Sequence, residues 1–186
     1  MNAHKKDVLA TVAEALTERG VSFGVGGSTL LSFHHVVDVV NDLDLILSES
    51  HVETVQHCLK ALGKEMPVTH KEPFRTRFFS SYCIENVQID VMAGFAIAHE
   101  NGVYEFSFDQ SSITDKTEIS SNEIPFMYLE DWYVFYLLMP NRKGKISQLE
   151  NYFRNKGVRH PEKLRVALQQ PLPIAVREKV TDVLNA

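Results

Sequence analysis

The residues of this chain that are best suited to chemistry are a glycine turn and two aspartates that follow it. Gly26, Gly27 and Ser28 come directly after a short apolar run, and Asp42 lies fourteen positions beyond the serine, with Asp44 two positions further on. A Gly-Gly-Ser turn at a helix start offers unpaired backbone amides and a partial positive charge to a phosphate. Aspartates two residues apart on a strand point the same way and can share divalent cations. Together, the two features predict metal-dependent chemistry on a nucleotide.

The segments around these residues predict the elements that position them. The range 21–25 is apolar and rich in β-branched residues, which indicates a buried strand, and Ser28 is predicted to be the N-cap of the helix that follows. In the range 42–47, both aspartates face one side of a strand while the leucines between them face the core. The two Cα atoms are then about 6.5 Å apart, which lets both carboxylates converge on metals about 4 Å apart.

A third acid is predicted on a later strand. Val87, Ile89 and Val91 alternate as a buried face, which leaves Asp90 on the opposite face, together with Gln88. Asp90 therefore repeats the pattern of the earlier pair. A third carboxylate would complete a site for divalent cations.

This combination resembles the nucleotidyltransferase superfamily, which includes DNA polymerase β, the antibiotic nucleotidyltransferases, the minimal bacterial nucleotidyltransferases and the AbiEii-type branch. The family pattern is Gly-Gly-Ser or Gly-Gly-Thr, a helix, Asp-x-Asp on the next strand and a further aspartate on a later strand. The resemblance implies that Gly27 and Ser28 grip the triphosphate of a nucleotide. It also implies that Asp42 and Asp44 bridge two Mg²⁺ ions, with Mn²⁺ as the alternative, and that Asp90 is the third ligand, close to the attacking hydroxyl.

The resemblance covers residues from about 20 to 155 and implies an α/β (α+β) fold. A small mixed sheet flanked by helices is expected, followed by a C-terminal helical lobe. The segment from Pro125 to Trp132 is similar to the step that opens the helical portion in several bacterial branches. We therefore expect an α/β lobe over 1–124, a helical lobe over 125–186, and a cleft between them.

Basic residues outside the turn are further candidates for binding a nucleotide. Arg75 and Arg77 alternate along a predicted strand over 74–80, so both guanidinium groups should face one side and could contact a triphosphate or an anionic acceptor. The alternative is a solvated strand face. Lys143, in a basic turn of the helical lobe, is a candidate for reaching nucleotide phosphates, as is its neighbour Lys145. Such a turn can also be ordinary surface.

Composition excludes several classes of protein. With 44% hydrophobic and 23% charged residues, the chain can bury one good core. A net charge of −5 and the lack of an extended basic run disfavour long nucleic acid as a partner. Two cysteines disfavour a disulfide framework and a structural zinc site. No apolar run is long enough for a membrane helix, and no signal core is present, so a cytoplasmic location without membrane contact is expected. A homodimer is compatible with this composition, which does not define the oligomeric state.

The leading functional hypothesis is transfer of a nucleoside monophosphate from a nucleoside triphosphate to a hydroxyl of an unidentified acceptor, with a small molecule favoured. The chain also departs from the family pattern. It lacks an arginine just ahead of Asn41, and Lys145 and Gln148 stand where family members carry acids. These departures support the second hypothesis, a catalytically degenerate scaffold that binds a nucleotide or partner, or a toxin–antitoxin component.

A third hypothesis is a dinucleotide-binding protein of the Rossmann type. The segment from Gly24 to Thr29 nearly matches the glycine fingerprint, and Asp44 lies twenty positions after Gly24, where a ribose-binding acid is expected. Against it, Thr29 replaces the third glycine, and a helix rather than a strand opens the chain.

Overall fold

The first two thirds of the chain contain three α-helices and all nine strands of the described ranges, and helices alone follow. The computed structural model describes residues 1–69 and 72–185. In these ranges the helices are α1 Ala3–Thr17, α2 Gly27–Phe33, α3 Val52–Leu62, α4 Leu129–Leu138, α5 Lys143–Lys156, α6 Pro161–Ala167 and α7 Ile174–Leu184. The strands are β1 Phe23–Val25, β2 Leu43–Leu47, β3 Lys64–Met66, β4 Phe78–Ile84, β5 Val87–Ala93, β6 Phe95–His99, β7 Gly102–Phe106, β8 Ile113–Ile119 and β9 Asn122–Met127.

Seven of the strands form one mixed sheet, in the order β3-β4-β5-β2-β1-β9-β8, and β6 pairs with β7 in a separate hairpin. Within the large sheet, β2 is parallel to β5 and β1 is parallel to β9. The other neighbouring strands are antiparallel. This mixed sheet with its helices confirms the predicted fold class.

The strand register brings the glycine turn and the aspartates to one edge of the sheet. In the parallel ladder of β2 and β5, Asp44 lies opposite Asp90. In the antiparallel ladder of β1 and β2, Val25 lies opposite Leu45, so the turn after β1 adjoins the start of β2. The backbone N–H of Gly26 donates to the carbonyl of Asp44 at 2.9 Å. A main-chain hydrogen bond thus joins the glycine turn to β2.

The core surrounds β2. The leucines at positions 43, 45 and 47 are fully buried, as their alternation predicts, and Ile46 on the opposite face is fully buried too. From Leu45 onward, past the two aspartates, both faces of β2 are therefore buried. Residues 129–136 of α4 are all buried, so this helix is enclosed on every side over most of its length. In the described ranges, no helix combines the length and apolar character that a membrane span requires.

Three local predictions need correction. Ser28 is not the N-cap of α2, because the helix begins at Gly27 and the extended Gly26 is its N-cap. The predicted strand over 74–80 begins only at Phe78, because the preceding residues bond to the chain after β5 instead. The helical part expected from Pro125 begins four residues later, at Leu129, because β9 continues the sheet to Met127. A proline usually argues against a strand, which explains why the sequence pattern missed β9.

The Rossmann hypothesis is wrong. The dinucleotide fingerprint lies in a βαβ unit, whose two strands are parallel. Here α2 connects β1 and β2, which are antiparallel. The glycine turn therefore belongs to a different architecture.

Candidate active site

Three carboxylates converge at the start of β2. Asp42, Asp44 and Asp90 each offer one carboxylate oxygen, and these oxygens all lie within 4.8 Å of one another. Asp44 and Asp90 are neighbours across the parallel ladder, and Asp42 directly precedes β2. The structure thus brings together the three acids that the sequence pattern singled out. We call these three residues the acidic cluster.

Burial and mutual repulsion disfavour three negative charges at this point. Burial, reinforced by the Asp42 and Asp90 carboxylates, raises the pKa of Asp44 to about 8. Burial also raises the pKa of Asp90, although hydrogen bonds to its carboxylate oppose the shift. The Ser81 hydroxyl donates to Asp90 Oδ1 at 2.6 Å, and the Gln88 amide donates to both oxygens at 3.0 and 3.2 Å.

The acidic cluster fits a divalent cation. Among the described residues, no basic side chain forms an ion pair with any of its three carboxylates. Carboxylate oxygens are the ligands that Mg²⁺ and Mn²⁺ prefer. A bound cation would supply the missing positive charge.

The glycine turn packs directly against the acidic cluster. Gly27 has a φ of +57°, and a Cβ atom at this position would lie 1.7 Å from Asp44 Oδ2. At Gly26, a Cβ atom would lie 2.0 Å from the indole ring of Trp132 on α4. Because neither position has space for a side chain, glycine is required at both.

Ser28 adds a polar group beside this turn. Its side chain is only 1% exposed, and its hydroxyl has no hydrogen-bond partner within the described part of the chain. A buried unpaired hydroxyl is costly, so it needs a functional or structural reason. A phosphate oxygen at the turn would accept the hydrogen bond that this hydroxyl can donate.

Lys145, on helix α5, brings a positive charge near the Asp44 carboxylate. Lys145 Nζ donates to the Tyr136 hydroxyl at 3.4 Å, and its charge acts on Asp44. Burial lowers the pKa of Lys145, while the Asp44 carboxylate opposes this shift. The exposed Lys143, the other candidate from the sequence, has no comparable interaction with Asp44.

The structure does not bring Arg75 and Arg77 to the acidic cluster. The backbone N–H of Arg77 donates to the carbonyl of Gly94, which follows β5 at the end remote from the acids. The Arg77 guanidinium pairs with Glu49 at 2.8 Å. Arg75 pairs with Glu72, also at 2.8 Å. These interactions assign both arginines to ion pairs on the surface.

An extended depression lies between the end of α2 and α5. It consists of two adjoining cavities of about 510 and 180 Å³, which share His35, Tyr152 and Lys156 in their walls. We call it the α5 groove. Sequence reasoning missed it, because its walls come from segments more than one hundred residues apart.

Comparison with solved structures shows that the chain has the nucleotidyltransferase fold. TM1012 from Thermotoga maritima, named as a nucleotidyltransferase, superposes with a TM-score of 0.64 at 20% identity, over 84% of this chain and 96% of that one. The antibiotic-resistance factor ANT(2'')-Ia gives a TM-score of 0.60 at 15% identity, over 100% of this chain and 97% of that one. The lincosamide antibiotic adenylyltransferase LnuA gives 0.50 at 18% identity, over 75% and 92%.

The resemblance inferred from the glycine turn and the aspartates is therefore confirmed at the level of the fold. No family model matches the sequence, and no curated protein sequence matches it. At these identities, the property shared with the solved structures is the fold.

Proposed function

We propose that this protein is a metal-dependent nucleotidyltransferase, which moves a nucleoside monophosphate from a nucleoside triphosphate to a hydroxyl of a small-molecule acceptor. The observation that carries the proposal is the acidic cluster, with its oxygens within 4.8 Å of one another, packed against the glycine turn. A phosphate-binding turn and a cation site in contact are the two parts that this chemistry needs. The shared fold supports the same conclusion.

In this proposal the acidic cluster holds two Mg²⁺ ions, with Mn²⁺ as the alternative. The absence of an ion pair between these carboxylates and a basic side chain in the described ranges suits cation binding. Burial and like-charge repulsion, which raise the pKa of Asp44, suit it too, because a cation would offset both. When bound, such ions neutralise the charge of a triphosphate and lower the pKa of an acceptor hydroxyl.

The residues of the glycine turn hold the triphosphate. The Gly27 amide and the unpaired Ser28 hydroxyl donate to the β- and γ-phosphates, and the extended Gly26 lets the backbone approach them. Lys145 faces Asp44 from α5 and adds a positive charge on the opposite side of the nucleotide. Catalysis then depends mostly on positioning and charge neutralisation.

Asp90 is suited to accept the proton of the acceptor hydroxyl. The hydroxyl oxygen bonds to the α-phosphorus, the bond from this phosphorus to the pyrophosphate oxygen breaks, and the hydroxyl proton passes to the Asp90 carboxylate. Burial raises the pKa of this carboxyl, which improves it as a base. The Ser81 and Gln88 hydrogen bonds hold the carboxylate in place.

Thermal unfolding with ATP, GTP, CTP or UTP, each with and without Mg²⁺ or Mn²⁺, tests the proposal. Binding at about 100 times the dissociation constant stabilises the fold by about 2.7 kcal/mol. We expect a metal-dependent shift with at least one nucleotide, lost in Asp42→Asn and kept in Asp7→Asn, which removes an exposed carboxylate from α1. Transfer of label from the α-phosphate of the nucleotide that binds into a metabolite extract then identifies acceptors.

A result without any nucleotide-dependent shift would contradict the proposal and favour a scaffold that no longer binds nucleotides. A shift without transfer would favour the degenerate scaffold that binds without turnover. A metal-dependent increase in Tm that Asp42→Asn retains would show that the acidic cluster does not take part in nucleotide binding.

A further inference from the structure

The α5 groove follows one face of α5, the helix whose first turn carries Lys145. Gln148, Tyr152 and Lys156 line it at intervals of four residues, which places them on one side of the helix. Lys145, whose charge acts on Asp44, lies one turn before Gln148 on the same helix. From Gln148 to Lys156 the groove extends about 12 Å, at 1.5 Å per residue. A ligand that follows it reaches away from the reacting phosphate.

The remote end of the groove is positively charged and aromatic. The larger cavity is lined by Lys156 and Arg159, by the rings of Phe33 and Tyr152, and by a single acid, Asp115, among the described residues. The smaller cavity is lined by the amide side chains of Gln148, Asn151 and Asn155, which suit a hydroxylated ligand. The two cations of the larger cavity suit an anionic group.

A buried imidazole at this end lacks a hydrogen-bond partner for one ring nitrogen. The side chain of His34 is 9% exposed, and its Nε2 atom has no hydrogen-bond partner in the described ranges. The nearest carboxylate oxygen, Asp115 Oδ2, lies 3.8 Å away, which is beyond hydrogen-bond distance. Because His34 lines the larger cavity, a ligand there can supply the missing bond.

The position of Arg159 is fixed by the main chain. Its backbone N–H and that of His160 both donate to Glu130 Oε1, at 3.1 and 3.0 Å. Glu130 itself is buried on α4. The guanidinium of Arg159 therefore extends from an anchored residue rather than from a free loop.

We propose that the α5 groove binds the acceptor, and that this acceptor is an elongated, hydroxyl-bearing phosphate monoester whose phosphate lies against Lys156, Arg159 and His34. This inference rests on the proposed function. The larger cavity, at about 510 Å³, has the size of a small-molecule site. A polycation such as tobramycin, which ANT(2'')-Ia carries as its adenylyl derivative in one solved structure, would meet two positive charges here.

Titration of the full chain with inorganic phosphate, without divalent metal, tests the charge selectivity of the groove. The NMR signal of the His34 imidazole, assigned through His34→Gln, reports binding at this position, and chloride at equal ionic strength serves as the reference. We expect a saturable shift with phosphate and none with tobramycin. In Lys156→Gln/Arg159→Gln, phosphate should bind at least about tenfold more weakly, because two charge-assisted contacts are lost.

The matched control is Arg154→Gln/Arg165→Gln, which changes the net charge equally at two exposed residues outside the cavity walls. Its phosphate affinity should equal that of the wild type. Three outcomes would overturn the inference: no saturable shift at His34, equal phosphate affinity in the two double variants, or a His34 shift with tobramycin in place of phosphate. A shift of His34 by Mg²⁺ and ATP that competes with phosphate would assign the groove to the nucleotide and overturn it as well.

The two proposals fail separately. Loss of the metal-dependent stabilisation by nucleotides refutes the proposed function, while the phosphate titration needs neither metal nor nucleotide. A protein that binds nucleotides but shows no phosphate effect at His34 keeps its proposed activity and loses the acceptor assignment.

Discussion

Replacement of Gly27 by alanine should have two effects: strain in the backbone and displacement of a carboxylate in the acidic cluster. At a φ of +57°, a left-handed conformation costs alanine about 1–2 kcal/mol relative to glycine. The new Cβ atom would also lie 1.7 Å from Asp44 Oδ2, whereas real contacts of a Cβ stay beyond 3.0 Å. The Asp44 carboxylate must therefore withdraw by more than an ångström from its position in the acidic cluster.

Two other glycines provide the strain without the contact. Gly20 and Gly157 have φ values of +67° and +78°, and a Cβ atom at either position would have no neighbour within 4 Å. We expect Gly20→Ala and Gly27→Ala to lose about 1–2 kcal/mol of unfolding free energy. Gly157→Ala should lose about 1–3 kcal/mol, because its φ of 78° and ψ of 162° lie in a region almost restricted to glycine. In a chain of this length, a loss of about 1–2 kcal/mol lowers Tm by about 2–8 °C. Only Gly27→Ala should also lose the metal-dependent stabilisation by a nucleotide.

The assay is thermal unfolding of the wild type and the three variants, with and without Mg²⁺ and the nucleotide that shifts the wild type most. Gly20→Ala and Gly157→Ala should show the full ligand-induced shift, which corresponds to about 2.7 kcal/mol at 100 times the dissociation constant. If Gly27→Ala shows that shift too, the close packing of the turn against Asp44 does not position the carboxylate, and the reasoning is refuted.

Three further predictions concern the residues around the site. Gly26→Ala should destabilise the fold by about 1–3 kcal/mol, because its Cβ atom overpacks against Trp132. The loss should be smaller in a Trp132→Phe background, which lacks the indole atoms that clash with this Cβ atom. A double-mutant cycle in urea unfolding measures the difference. Glu130→Ala leaves two backbone N–H groups without their acceptor and should cost on the order of 2 kcal/mol in urea unfolding, whereas Glu130→Gln keeps an acceptor oxygen and should cost less. Burial raises the pKa of Asp131 to about 7, so its proton is held in the folded state and released near pH 4 in the unfolded chain. Stability from this residue therefore falls as the pH rises from about 4 to 7, and Asp131→Asn should flatten that slope in urea unfolding at a series of pH values.

The acidic cluster was predictable because it depends on local periodicity. Strand alternation alone decides that Asp42 and Asp44 share a face, and that Asp90 lies opposite a buried face of its own strand. The need for glycine at positions 26 and 27 was also predictable, since a turn that approaches other groups closely has no space for side chains. The reasons for glycine at each position were not, because the carboxylate and the indole that exclude a side chain come from distant segments.

Long-range placement accounts for the predictions that the sequence could not decide. Lys143 and Lys145 are separated by about 200° around a helix, so only the packing of α5 shows which one faces the acids. Arg75 and Arg77 have the right chemistry for a phosphate, but the chain after β5 holds them at the far end of the strands. The alternation of Arg75 and Arg77 predicts that they share a face of a strand, but it does not predict at which end of the sheet they lie.

The hydrogen bond from the backbone N–H of Gly26 to the carbonyl of Asp44 joins the glycine turn and β2 into one unit through the main chain. Mutations that alter α5 leave this unit intact, since the helix contributes no backbone to it. Under the proposed function, substitutions in α5 beyond Lys145 would alter the groove and leave the glycine turn and the acidic cluster unchanged. Selection on these helix residues could then change which molecule is modified while the reaction is inherited intact.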